Sequence, residues 1–349
     1  MSNRVKVIFI TVVAVVIAGI GWFSFRNAKP AGDSVAIREI QSTAPTQWEL
    51  AKKLSGRDIL AEEGVRVEVI NGIQSGGGTV ILQALLANNI DTGGSAWPAW
   101  INIIARGGKI KALLGVLVST KDNECSKQGL LVLDDSTIHT IKDLVGKRIA
   151  VNVLGAEADY VIRLYLKKHG LSISQVELVV VPVAQQEQML RNRQVDAVSF
   201  GTIGVPEFGM TVANGGVRQI PGTTNFETKG AAVLGPIGFR NDFIEKHPDT
   251  VRRYLRAYDV ARRIIYNEFQ KNPERVRKAY ADMSVEKGSN PDFARFYQAT
   301  AWTPDFPFIV DKDVQWWIDR FIEDGLLKPG QIKPSDIYTN EFNPLYKKQ

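Results

Sequence analysis

Residues 138–206 read IHTIKDLVGKRIAVNVLGAEADYVIRLYLKKHGLSISQVELVVVPVAQQEQMLRNRQVDAVSFGTIGVP, and the punctuation of this stretch decides the fold. A short helix is predicted over Ile141–Leu144, a turn at Gly146, a strand over Arg148–Val153 and a loop over Leu154–Ala156. A helix over Ala158–His169, a turn at Gly170, a strand over Glu177–Pro182, a helix over Ala184–Arg193 and a strand over Asp196–Phe200 follow. Strands alternating with helices of about ten residues are βαβ units, whose strands pair in parallel. IAVNV and LVVVPV are nearly continuous apolar runs, the pattern of strands covered on both faces. The expected fold class is α/β.

Upstream, Val35–Gln41 alternates and reads as a first strand. Ser42, Thr43, Ala44 and Pro45 make a turn, and Thr46 is placed to cap a helix starting at Gln47 and running to Leu54. VRVEVI at Val65–Ile70 alternates strictly as a second strand. Gly76-Gly77-Gly78-Thr79 leads into an apolar-faced helix, and Ile90–Gly93 is a short strand after it. Ser95-Ala96-Trp97-Pro98 then opens a helix in which Pro98 suits the first turn, and Lys111–Val118 is a further strand. Far downstream, Phe308–Gly325 reads as a last helix, and Ile332–Pro344 as a tail expected to pack on the first half of the chain.

The ordered set carries a resemblance. DL-x-GK-x-IAV, the helix after Gly155, L-x-x-x-GL, the V-x-x-V strand and ML-x-x-x-x-VDAVS look like the second lobe of periplasmic substrate-binding proteins of ABC importers. The closest likeness is to the aliphatic sulfonate, taurine, nitrate and thiamine-pyrimidine group. The first half resembles the family's first lobe, and L-x-x-N-x-ID near Asp91 pairs with ML-x-x-x-x-VDA near Asp196 as an internal pseudo-repeat. After Gly230, x-x-F-I-x-x-x-P-x-x-V and long helices resemble the family's return strand and C-terminal helices. The resemblance implies a two-lobe periplasmic binding protein of type II, with lobe 1 from 34–120 plus 232–349 and lobe 2 from 121–231. Two crossings would form a hinge that closes on a ligand. It further implies a monomer without cofactor or metal that hands a small molecule to an ABC permease and does no chemistry.

The chain has 349 residues and a formal charge of +6, but Arg4, Lys6, Arg26 and Lys29 lie in the first thirty residues without an acid. Beyond them 39 basic side chains face 37 acidic ones, so the globular part has no nucleic-acid signature. Val7–Phe25 is free of charge and follows a basic start, so residues 1–31 read as a signal peptide or a membrane anchor. Either places the rest in the periplasm. Cys125 is the only cysteine, which leaves no intrachain disulfide and no thiol-based metal cluster.

His139, His169 and His247 all fall at surface or capping positions, and no HExxH, GxSxG or P-loop pattern occurs. Asp91 and Asp196 close strands, where local pairing is the expected role rather than acid–base work. The glycine turn offers Gly77 and Thr79 as ligand contacts, because glycines let backbone N–H groups approach a ligand at a helix start. Ser95 before one helix, and Gly155 and Ala156 before another, repeat that arrangement at the carboxyl ends of strands, where open α/β folds bind ligands. Trp97 is a candidate stacking surface. Thr43 and Gln47 follow the first strand, and Phe200 and Thr202 end the VDAVS strand at positions where the family places cleft residues. Glu157 and Asp159 depart from the small hydroxyl residues common there. Two carboxylates at a helix start would repel an anion, which makes a neutral or cationic heterocycle competitive with a sulfonate. A membrane-tethered sensor, or an enzyme built on the same fold, is the alternative function; the fold's pyrimidine-synthesising relatives carry a cysteine-rich iron motif that this chain lacks.

Overall fold

The computed structural model describes residues 35–42, 44–71, 77–121, 124–201, 205–299, 303–304 and 307–347. The apolar leader, Thr43 and Thr202 lie outside the described residues. No helix among the described residues is long and apolar enough to cross a membrane.

The first segment runs β1 (Ile37–Ile40), α1 (Gln47–Ser55), α2 (Ile59–Glu62), β2 (Val67–Ile70), α3 (Gly78–Leu86), β3 (Thr92–Gly94), α4 (Trp97–Ala105) and β4 (Ile110–Ser119). The middle segment runs α5 (Glu124–Lys127), β5 (Leu131–Leu133), β6 (Arg148–Val151), α6 (Glu157–Lys168), β7 (Glu177–Val180), α7 (Val183–Arg191), β8 (Ala197–Ser199), α8 (Val205–Ala213), β9 (Val217–Gln219) and α9 (Asn225–Lys229). The last runs β10 (Ala232–Arg240), α10 (Asn241–Lys246), α11 (Pro248–Lys271), α12 (Pro273–Glu286), α13 (Asp311–Glu323) and α14 (Pro334–Ile337).

The middle segment builds a five-stranded sheet of its own in the order β7-β6-β8-β5-β9. Strand β6 is parallel to β7 and β8, whereas β5 is antiparallel to β8 and β9. The flanking segments supply the parallel pair β1-β2 and the antiparallel set β3-β10-β4. Asp91 joins these two sets: its N–H donates to Arg38 O at 2.9 Å, and its Oδ2 accepts the Arg38 N–H at 2.9 Å. The other half repeats this contact. Asp196 N–H donates to Arg148 O at 2.8 Å, and Asp196 Oδ2 accepts the Arg148 N–H at 2.8 Å. Each Asp also pairs with the side chain of its arginine. Three residues ahead of each aspartate stands a non-glycine residue in the left-handed region, Asn88 at φ 60 and Arg193 at φ 56. The two aspartates are therefore splints between neighbouring strands, as their local-pairing reading expects, and the internal repeat is one of geometry as well as of sequence. The result is a two-lobe α/β fold, with β2-β1-β3-β10-β4 answering β7-β6-β8-β5-β9.

Element ends differ from the sequence reading by one to three residues, and the Ile141–Leu144 segment is a 3-10 turn. One strand differs in kind. Glu177–Val180 is the edge of its sheet and Val180 is 54% exposed, so it is not covered on both faces as its apolar run implied. The start of α1 is closed by a capping box, in which Thr46 N–H donates to Glu49 Oε2 at 2.8 Å. The tail lies on β4, where Thr339 N–H donates to Ala112 O at 3.1 Å.

One apolar cluster joins the two halves. It holds Leu82, Trp97 and Trp100 from one side, and Ile149, Ile162 and Leu166 from the other. Across it the Tyr160 ring of α6 stacks on Phe321 of α13 with centroids 4.5 Å apart.

Candidate ligand cavity

A cavity of about 310 Å³ opens where the carboxyl ends of the parallel strands meet. Its wall takes Gly77, Gly78 and Ile81 from the start of α3, Gly94, Ser95 and Ala96 from the start of α4, and Ala156, Glu157 and Ala158 from the start of α6. Asn152, Gly201, Val116, Leu117, Gly235 and Pro236 complete the described wall.

Glycine is demanded at the start of α3. Gly77 has φ 119, and a Cβ there would stand 2.8 Å from Asn152 Nδ2 and 3.3 Å from Val153 Cγ1. A Cβ on Gly78 would stand 1.9 Å from Ser95 Oγ and 2.6 Å from Ser95 Cβ. Both glycines thus let the start of α3 press against the other strand ends.

The N-cap residues of the three helices are Gly77, Ala96 and Ala156, and none provides a side-chain cap. The first-turn N–H groups (Pro98 has none) therefore lack a side-chain acceptor, and the positive end of each helix dipole lies at the cavity wall. Ser95 Oγ and Thr79 Oγ1 are buried and find no partner among the described residues. Apart from Ser95, Asn152 and Glu157, the side chains of the wall are apolar or absent. A molecule with hydrogen-bond acceptors at one end and a hydrocarbon or ring body at the other suits such a surface.

The two carboxylates at the start of α6 are both matched. Glu157 pairs with Lys229, and the two side chains are 5% and 3% exposed. Asp159 turns away from the cavity. Its Oδ2 accepts the Gly155 N–H at 2.9 Å, and its Oδ1 pairs with Arg163 at 2.7 Å. The repulsion of anions expected from the sequence is thereby removed for Asp159 and offset for Glu157. On the far side of Lys229, burial pushes the Asp313 carboxyl up, although Oδ2 accepts the Val233 N–H at 3.1 Å.

Of the residues singled out from the sequence, Gly77, Ser95, Ala156 and Glu157 line the cavity. Thr79, the second residue of α3, is not part of the wall. Gly155 stands just behind the wall at φ 74, its carbonyl accepting from Asn102 Nδ2 at 3.3 Å. Trp97 is corrected: the ring has no exposed surface, and its indole N–H donates to Val233 O at 2.7 Å inside the core. An aromatic in the first turn can point either way, and here the apolar cluster takes it. Phe200 is likewise core, 1% exposed and edge-on to Phe208 at 6.2 Å. Gln47 borders a separate cavity of about 160 Å³ with Tyr258 and Arg262. Asn152 was missed, although a lone polar residue inside the IAVNV run was a signal. Gly235-Pro236, brought in from a distant strand, had no local signal, and neither did Lys229.

Comparison with known proteins places the chain. The family model described as NMT1/THI5 like matches residues 58–275. The chain belongs to this family. A protein of Brucella abortus is 23% identical over 279 residues, which is 76% of this chain and 79% of the relative. Among solved structures, the alkanesulfonate-binding protein SsuA of Xanthomonas axonopodis pv. citri bound to MOPS matches with a TM-score of 0.66 at 20% identity, covering 89% of this chain and 99% of that one. The periplasmic nitrate-binding protein NrtA of Synechocystis matches at 0.63 with 14% identity, covering 88% of this chain and 87% of that one. The desulfurization enzyme DSZB also matches, at 0.58 with 17% identity over 88% of this chain and 97% of that one. These likenesses show that this NMT1/THI5-like chain has the two-lobe fold; the fold itself serves both binding and catalysis.

Proposed function

We propose that the protein is an exported solute-binding protein of an ABC importer that captures a small organic molecule between its lobes and delivers it to a permease. The supporting observation is the convergence of three side-chain-uncapped helix N-termini on one cavity with a largely apolar wall. That arrangement holds an oxyanion head by backbone N–H groups and helix dipoles, and leaves the body of the ligand to Ile81, Val116 and Pro236. A sulfonate, carboxylate or similar head on a short apolar body is the class we infer. The relatives, which include periplasmic binding proteins for alkanesulfonate and for nitrate, agree with that class, and the charge-free leader Val7–Phe25 supports export to the periplasm. Two chain passages between the sheets, β4 to β5 and β9 to β10, would serve as the hinge of closure.

A thermal-shift screen against alkanesulfonates, nitrate, carboxylates, pyrimidines and amines tests the reading. A true ligand at about a hundred times its dissociation constant adds roughly 2.7 kcal/mol. A hit among the oxyanions without turnover is the expected result. Turnover of a bound compound would favour the enzymatic use of the fold instead, and silence across the panel would remove the oxyanion class.

A further inference from the structure

Glu157 is the only charged residue lining the cavity among the described residues, and it sits among helix starts that favour negative charge in a ligand. Its partner comes from elsewhere. Lys229 ends α9, just ahead of β10, and its side chain is 3% exposed. The ammonium reaches Glu157 from a second cavity of about 280 Å³, on the other side of the strand start, where Lys312, Asp313 and Trp316 also lie. Its Nζ stands 5.7 Å from the centroid of the Trp317 ring, so an aromatic face supports the charge from behind. Tyr165 on α6 is a further ionisable group near Glu157, and Glu227 on α9 in turn lies near Tyr165.

We propose that Lys229 is a specificity-determining residue: its buried ammonium cancels the carboxylate of Glu157 and so lets the cavity accept an anion. The inference rests on the oxyanion reading above. Lys229 acts through Glu157 without belonging to the cavity wall. Its effect is therefore one of charge, and it has to disappear when both charges are removed together.

The test measures the affinity of the purified full chain for butane-1-sulfonate and for the uncharged butyl methyl sulfone by calorimetry. Lys229→Met, Glu157→Gln and the double variant are compared with the wild type. Lys229→Met is expected to lose sulfonate affinity by on the order of a hundred-fold, the factor for like charges about 5 Å apart at an effective dielectric near 20. Its sulfone affinity should stay within a few-fold, with folding checked by circular dichroism. The double variant, which has no buried unpaired charge to unfold it, should recover sulfonate binding to within about ten-fold of the wild type. Undiminished sulfonate binding by Lys229→Met would overturn the inference, and so would equal loss of sulfonate and sulfone, or a double variant as weak as Lys229→Met. Failure of the wild type to bind either compound would overturn the oxyanion reading and the inference with it.

Discussion

Replacing Trp97 by alanine separates two roles for that residue. Its ring has no exposed surface, and its indole N–H is 2.7 Å from Val233 O. An aromatic side chain buries about 150–250 Å², worth roughly 4–6 kcal/mol at about 25 cal/mol per Å². Relaxation around the void brings measured Trp→Ala losses to about 3–5 kcal/mol. The carbonyl of Val233 also loses its donor inside the core, at a cost of about 1–3 kcal/mol. Trp97→Ala is therefore expected to lower the unfolding free energy by about 4–6 kcal/mol in urea titrations. Trp97→Phe, which keeps most of the apolar surface but not the donor, should lose about 2 kcal/mol. Ligand affinity of the folded Trp97→Phe protein should change by no more than a few-fold. A Trp97→Ala protein that keeps its stability within about 1 kcal/mol while losing the ligand would refute this reasoning and place the ring in the cavity.

Gly78→Ala tests the cavity wall itself. Alanine suits a helix better than glycine by about 1 kcal/mol. The added methyl, however, would fall 2.6 Å from Ser95 Cβ, an atom that no rotamer change moves. Overpacking of about 1–3 kcal/mol should outweigh the helical gain, and calorimetry should show at least ten-fold weaker ligand binding. Binding as tight as the wild type would show that α3 does not press on Ser95. Glu39→Gln tests a half-buried acid. Burial raises its pKa, against the hydrogen bond that Tyr254 donates to Oε1. A carboxyl whose folded value is raised stays protonated in the fold after the unfolded chain has ionised, so stability falls as pH rises above the unfolded value of about 4.3. Glu39→Gln should therefore be the more stable protein at pH 7, and the advantage should vanish near pH 4 in paired urea titrations. A gain that is the same at both pH values would contradict a raised carboxyl.

Much of the architecture is visible in the chain because its causes are local. Apolar periodicity sets the strands and helices, Thr46 and Glu49 announce the cap of α1, and Gly146 and Gly170 mark turns. The parallel βαβ order from Arg148 to Ser199 follows from the spacing of those elements. The wall positions of glycine and small residues at 77, 95 and 156 were legible because close backbone approach needs them, and the cavity does form there. Phe200 and Trp97 were not, since sequence places an aromatic at a strand end or helix start without saying which way it turns.

The chain by itself determined that two α/β halves form, and where their strands end, because hydrogen-bonded elements a few residues long are dictated by neighbours in sequence. Tertiary structure alone decided the electrostatics of the site. The sequence shows Glu157 and Asp159 side by side at a helix start, a pair of negative charges hostile to an anion. Folding brings Lys229 to Glu157 and turns Asp159 onto Gly155 and Arg163. Charge is cancelled through space, by a residue 72 positions away in the chain, and no local pattern records that encounter.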